Sequence, residues 1–197
     1  MKLKLPRYYL EFTVFFSGAF VMAYEILASR ILGPSLGTSI QVWTIIIGVF
    51  LLSISAGYLA GGKLADKKPS FALLGKVLLG AAFFVLASRF FYKDISFFIV
   101  SRLPLLPASL VVSLILFSVP AFLLGMVAPL AVKLRLASLN VAGTTVGRLY
   151  SLSTLGSIAG TILTGFYLIP HFPVSAILTF ISLSLALIAT GLIFFRR

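Results

Sequence analysis

The sequence predicts an all-α integral membrane protein of six transmembrane helices, and three observations carry that expectation. Hydrophobic residues make up 60% of the 197 positions and charged residues only 10%, with a mean hydropathy of +1.17. A soluble domain of this length needs a largely polar skin, which such a composition cannot supply. The apolar residues gather into six runs, each about 20 residues long, which is the length that crosses a hydrocarbon core. Turn-forming and charged clusters separate the runs.

The first run covers residues 8–32 and ends at Gly33-Pro34, and the second covers 40–61 and ends in Asp66-Lys67-Lys68-Pro69. The third, 71–92, stops at Lys93-Asp94, and the fourth, 107–132, stops where a basic stretch from Lys133 to Arg148 begins. The fifth and sixth, 150–169 and 174–195, are divided by Pro170-His171-Phe172-Pro173. No segment is long and polar enough for a second domain, so 1–197 reads as one six-helix unit. The basic opening before the first run is shared with signal peptides, but that run is too long for a signal core and is expected to stay as a span.

Composition also narrows the chemistry. With four acidic residues, one His and no Cys, the chain lacks the atoms for disulfides, thiolate metal sites or a cysteine nucleophile. Neither a metal nor a cofactor is expected, and neither is an enzyme acting alone. The formal net charge of +12 would suggest nucleic acid in a soluble domain. In a membrane chain it is first a statement about topology. With both termini on one side, that side holds 12 of the 16 Lys and Arg residues, and the far side keeps Arg30, Arg89, Lys93 and Arg102. Basic residues accumulate on the cytoplasmic side. Both ends are therefore expected in the cytoplasm of a cell inner (plasma) membrane, with anionic lipid as a partner and no nucleic acid.

Two sets of residues resemble known families. Gly62-Lys63-Leu64-Ala65-Asp66-Lys67, at the cytoplasmic end of the second span, resembles the signature loop between helices 2 and 3 of major facilitator superfamily transporters. Lys68-Pro69 then departs from that pattern. The blocks Glu25 to Pro34, Val42-Trp43-Thr44, Leu124 to Ala131 and Gly147 to Ser157 are similar, in order, to the membrane half of fused spermidine-synthase-like proteins. The resemblance implies half of a major-facilitator-like fold, a membrane module without the soluble aminopropyltransferase-like domain. It further implies that Asp66, with Gly62 and Lys67, forms a conformational latch for the state closed to the cytoplasm. The alternative for Asp66 is a solvated turn beside two lysines.

Glu25 is the most informative single residue, because an ionised carboxylate deep in a span costs roughly 2.5 to 3.5 kcal/mol unless paired, hydrated or protonated. Either it faces a cavity and binds a proton or organic cation, or it is a structural partner of Arg30, Arg89 or Ser29. Arg30, Gln41, Trp43 and Tyr150 are the further substrate-site candidates. Trp43 and Tyr150 read equally as interfacial anchors. His171 reads as a solvated loop residue, and Pro120 and Pro129 as kinks or hinges in the fourth span.

Small residues recur at helical spacing in the second span, at Ser53, Gly57 and Gly61, and in the fifth, at Ser153, Ser157, Thr161 and Gly165 with Gly156 and Gly160 beside them. Such stripes let backbones approach closely. They serve either packing within the chain or a homodimer joined through spans two and five, which would rebuild a full facilitator from two halves. The sixth span is expected at the lipid-facing periphery. Two functions follow: a half-size transporter of a small organic cation such as a polyamine, or a non-transporting scaffold for a soluble synthase-like partner.

Overall fold

The computed structural model describes residues 8–136 and 142–194. The basic residues at 2, 4, 7, 196 and 197 lie outside the described residues. Six helical spans are present, long and apolar enough to cross a membrane, and among the described residues there is no strand. They are α1 (Tyr9–Leu36), α2 (Ile40–Lys67), α3 (Phe71–Val100), α4 with α5 (Leu105–Gly125 and Val127–Arg135), α6 with α7 (Ala142–Leu163 and Ile169–His171, joined by a π-helical turn at Thr164–Leu168), and α8 (Val174–Phe194). All six expected spans are found where the hydropathy put them.

Their ends differ for identifiable reasons. α1 continues through Gly33-Pro34 to Leu36 and stops at Gly37, whose φ of 72° is the left-handed conformation that glycine adopts freely. One proline in the last turn removes one hydrogen bond and does not end the helix. α2 takes in Gly62 to Lys67, so the expected loop motif is the last turn and a half of a helix. Nothing between Gly62 and Lys67 breaks a helix before Pro69, and Lys67 in the last turn complements the helix dipole. α3 likewise runs past Lys93-Asp94 to Val100, because exposed charges end a hydrophobic run without ending a helix. Ser39 and Ser70 cap α2 and α3 by accepting hydrogen bonds from the Val42 and Leu73 amides.

The fourth span bends at Met126, between its two prolines: Pro120 lies inside α4 and Pro129 in the first turn of α5, where a missing N–H costs little. The Met126 amide is shared between the Phe122 and Leu123 carbonyls. In the fifth span the Ile169 amide reaches back five residues to Thr164, a wide turn just ahead of Pro170.

α1 is the central helix: 72% of its most apolar stretch is buried, against 33% for the second span and 17% for the fifth. α6 lies along α1, α2 along α4, and α3 packs on both α4 and α8. The core centres on three fully buried rings, Tyr24, Phe50 and Phe117, with centroids 5.5 to 5.8 Å apart. The Tyr24 hydroxyl lies 3.1 Å from Ser88 Oγ and 3.0 Å from the Leu116 carbonyl, so α1 to α4 meet at one side chain. α8 is tied to α3 by Ser182 donating to Ala82 O and by Arg89 donating to Thr179 Oγ1. Its outer face, with Phe180, Leu183 and Leu187, is exposed.

The glycine stripes have their partners inside the chain, which corrects the expectation that Gly57, Gly61, Gly156 and Gly160 form a dimer interface. Gly57 lies on the Phe122 carbonyl, and a methyl at Gly61 would stand 2.7 Å from Met126 Cα. Gly156 and Gly160 lie on the main chain of Phe15 and Ala19. All four glycines are buried. They set the α2–α4 and α1–α6 spacing, where only a hydrogen atom fits between the backbones.

Candidate functional site

The α1 helix puts residues seven apart nearly in line, because two turns advance about 700°. Glu11, Gly18 and Glu25 form such a line. α6 runs beside it, with Ser157 donating to Gly18 O at 3.3 Å and Gly160 against Ala19. The offset of 139 positions between Ser157 and Gly18 puts Thr164 level with Glu25. Thr164 Oγ1 is buried and has no hydrogen-bond partner among the described residues.

Glu25 is buried, with 9% of its surface exposed. Among the described residues its carboxylate makes no hydrogen bond or ion pair. Each partner expected for a structural role is engaged or placed elsewhere: Arg89 donates to Thr179 and Ser29 to the Ile26 carbonyl. Arg30 is exposed and lines an outward cavity of about 420 Å³ with Ser29, Thr38 and Phe172.

The remaining sequence candidates are not gathered around Glu25. Gln41 is exposed and Trp43 half-buried in the first turn of α2, and His171 ends α7 with Nδ1 2.7 Å from the Tyr167 carbonyl. Tyr150 lies near Tyr58 of α2. The α1–α6 register puts Tyr150 level with residues 9 to 11, some 15 residues or about 22 Å from the level of Glu25. Glu25, Arg30, Gln41, Trp43 and Tyr150 therefore do not form one cluster, since they project from three helices at different depths.

A small cavity of about 60 Å³ lies where α1, α2, the α4–α5 bend and α6 meet. Val14, Gly18 and Val21 of α1 line it, together with the hydroxyls of Ser17, Tyr58, Ser153 and Ser157. It extends along α1 from one turn above Glu11 to one turn below Glu25.

Glu11 itself was not singled out by the sequence reading. It is 6% exposed, 3.2 Å from Arg135 Nη2 of α5 and 3.8 Å from Arg148 Nη2 of α6. Neither carboxylate oxygen has hydrogen-bond geometry to a partner among the described residues. The three residues border a cavity of about 180 Å³ with Thr144 and Thr145. The available signal was an acid one turn inside the first span and two arginines, one after the fourth apolar run and one before the fifth.

Asp66 pairs with Lys133 of α5 at 2.8 Å, with both side chains well exposed. The expected latch residues thus sit on a helix end, joined to the end of the fourth span by the Lys133 side chain. Gly62 has open space beside it and Lys67 is exposed.

No protein-family model, curated protein or solved structure matches this chain.

Proposed function

We propose that the chain is half of a facilitator-like transporter that works as a homodimer by alternating access, carries a small organic cation such as a polyamine, and holds both termini in the cytoplasm. The observation that carries this reading is Glu25, a carboxylate buried in the first span with no hydrogen-bond or ion-pair partner among the described residues. A buried charge without compensation is costly, and in membrane spans such groups mark ion and substrate paths. Its candidate structural partners have other roles, which removes support from a purely structural pair.

Coverage of the helices supports where a second copy would sit. Spans two and five are the least covered of the six. Leu51, Leu52 and Leu59 of α2 and Leu155, Ile158 and Ile162 of α6 form exposed apolar faces opposite the glycines. The proposed contact runs over these faces, while Gly57, Gly61, Gly156 and Gly160 hold each half together. Asp66–Lys133 would tie spans two and four at the cytoplasmic end in the closed state.

The test is uptake of labelled spermidine by vesicles holding the purified full chain, compared with Glu25→Gln, with thermal stability measured on both. The expected result is lost uptake at unchanged stability, because no pair is broken. A variant that takes up spermidine as the parent does, or one that loses its fold, removes Glu25 as the binding group.

A further inference from the structure

The geometry points to a proton route between Glu25 and the cytoplasm, running down α1 through the hydroxyl-lined cavity to the Glu11–Arg135–Arg148 cluster. It deepens the reading of Glu25 as an ion-binding carboxylate by naming the ion that reaches it from the cytoplasmic side.

Size is the first argument. The cavity holds about 60 Å³, and a water needs roughly 10 to 15 Å³ by the same measure. It takes a few waters and excludes an organic cation. The second argument is free hydrogen-bonding capacity. Ser17 donates to the Thr13 carbonyl and Ser157 to Gly18 O, but the hydroxyls of Tyr58 and Ser153 make no hydrogen bond among the described residues. Waters in a cavity need two to four polar partners, and these hydroxyls supply them.

Reach is the third. The cavity ends at Val21, four residues or about 6 Å below Glu25, and begins at Val14, three residues or about 4.5 Å above Glu11. Helix side chains lean toward the N-terminus, so Glu25 extends toward the cavity, whereas Glu11 leans away from it toward Arg135 and Arg148 and the gap above Glu11 is left to water. Glu11 is nine-tenths buried with unused acceptor capacity on both oxygens, so it can accept hydrogen bonds from water at the cytoplasmic end of the path while Arg135 and Arg148 offset its charge. At each step an O–H passes its proton toward Glu25 and regains one from the cytoplasmic side. One proton moves in total, and no other bond changes.

The titratable groups around this path are few. α4 and α8 contain none. α2 contributes Tyr58 beside the cavity and, at its cytoplasmic end, Lys63, Asp66 and Lys67. α5 contributes Lys133 and Arg135, and α6 contributes Arg148 and Tyr150. Toward the outer side are Arg30 of α1, Tyr167 in the π turn and His171 of α7, and α3 carries Lys76, Arg89, Tyr92, Lys93 and Asp94. Tyr24 of α1 is turned away toward Ser88.

The experiment is infrared spectroscopy of the full chain in sealed vesicles after a pH jump, following the protonated carboxyl band. With only four acids in the sequence, Glu25→Gln assigns the band. The double variant Tyr58→Phe/Ser153→Ala removes two hydroxyls without adding bulk, and Ser29→Ala removes one on the outward side. We expect the double variant to slow re-equilibration of Glu25 by about tenfold or more, the equivalent of one or two lost hydrogen bonds along the water file, with Ser29→Ala unchanged. Slowing by Ser29→Ala alone, slowing by neither variant, or no titrating signal from Glu25 overturns the route. Labelled spermidine uptake by the same vesicles separates the two claims. An unslowed double variant whose vesicles still take up spermidine removes the proton route and leaves transport. A slowed variant in vesicles that take up none keeps the route and removes the polyamine.

Discussion

A single added methyl at Gly160 tests whether the glycine stripe is internal packing. The Cβ of Gly160→Ala would meet the main chain of Ala19, 2.7 Å from its Cα and 2.8 Å from its carbonyl carbon. Carbon atoms rest about 3.5 to 4.0 Å apart, so α1 and α6 must separate by about 1 Å, and a gap of that size forfeits up to half of each contact's attraction. Overpacking costs typically about 1 to 3 kcal/mol, and here the upper part of the range applies because main chain cannot change rotamer. Alanine in place of glycine returns about 1 kcal/mol of helix propensity. The net expectation is a loss of about 2 kcal/mol. Gly48 is the control, since its methyl would meet nothing within 4 Å, and Gly48→Ala should gain close to the full 1 kcal/mol. Thermal unfolding in detergent, followed by Trp43, the single tryptophan, reads both. At about 2 to 4 °C per kcal/mol for a chain of this size, Gly160→Ala should melt roughly 4 to 8 °C lower and Gly48→Ala 2 to 4 °C higher. A Gly160→Ala chain as stable as the parent would refute the packing argument, and so would equal losses in both.

The charge cluster on Glu11 should behave as a coupled unit. Glu11→Gln and Arg135→Gln are each expected to cost about 1 to 2 kcal/mol, below the value for a fully buried pair because Arg135 and Arg148 reach solvent, and the double variant should cost less than their sum; additivity in denaturant titrations would show that the contact is incidental. For topology, single cysteines at positions 68, 94 and 171 of this Cys-free chain should react with an impermeant thiol reagent on intact cells at 94 and 171 only, and labelling at 68 would invert the arrangement.

The spans were legible because hydropathy acts over 20 residues and six runs stand clear of their breaks. Helix ends were less so. Lys67 and the Lys93-Asp94 pair close an apolar window, yet each sits comfortably on a helix that projects beyond it, so charge marks where lipid ends and not where hydrogen bonding ends. Close packing at Gly57 and Gly160 was readable from spacing alone. The partner was not, because one helix face looks the same whether its neighbour is 65 residues away, as for Gly57 and Phe122, or on another chain. Glu25 stood out as a lone acid in apolar sequence and is buried without a partner among the described residues. Glu11 did not, since its arginines follow it by 124 and 137 positions and only the fold brings them together.

The meeting of Tyr24, Phe50, Ser88 and Phe117 has a consequence for biogenesis. Each of the first four spans contributes one of these residues, and Ser88 gives its own proton to the Val85 carbonyl, leaving Tyr24 as the donor between helices. Chains are made from the N-terminus and segments assemble as they emerge. A nascent chain that has cleared the insertion machinery as far as Gly125 already holds every element of that centre, and a shorter one lacks Phe117 and leaves the phenol short of an acceptor in lipid. The last two spans then return to helices inserted long before, α6 to α1 and α8 to α3. The contacts predict that maturation in the membrane proceeds as a four-helix nucleus followed by two late docking steps, with the glycine line on α6 as the surface by which the first of those arrivals finds its place.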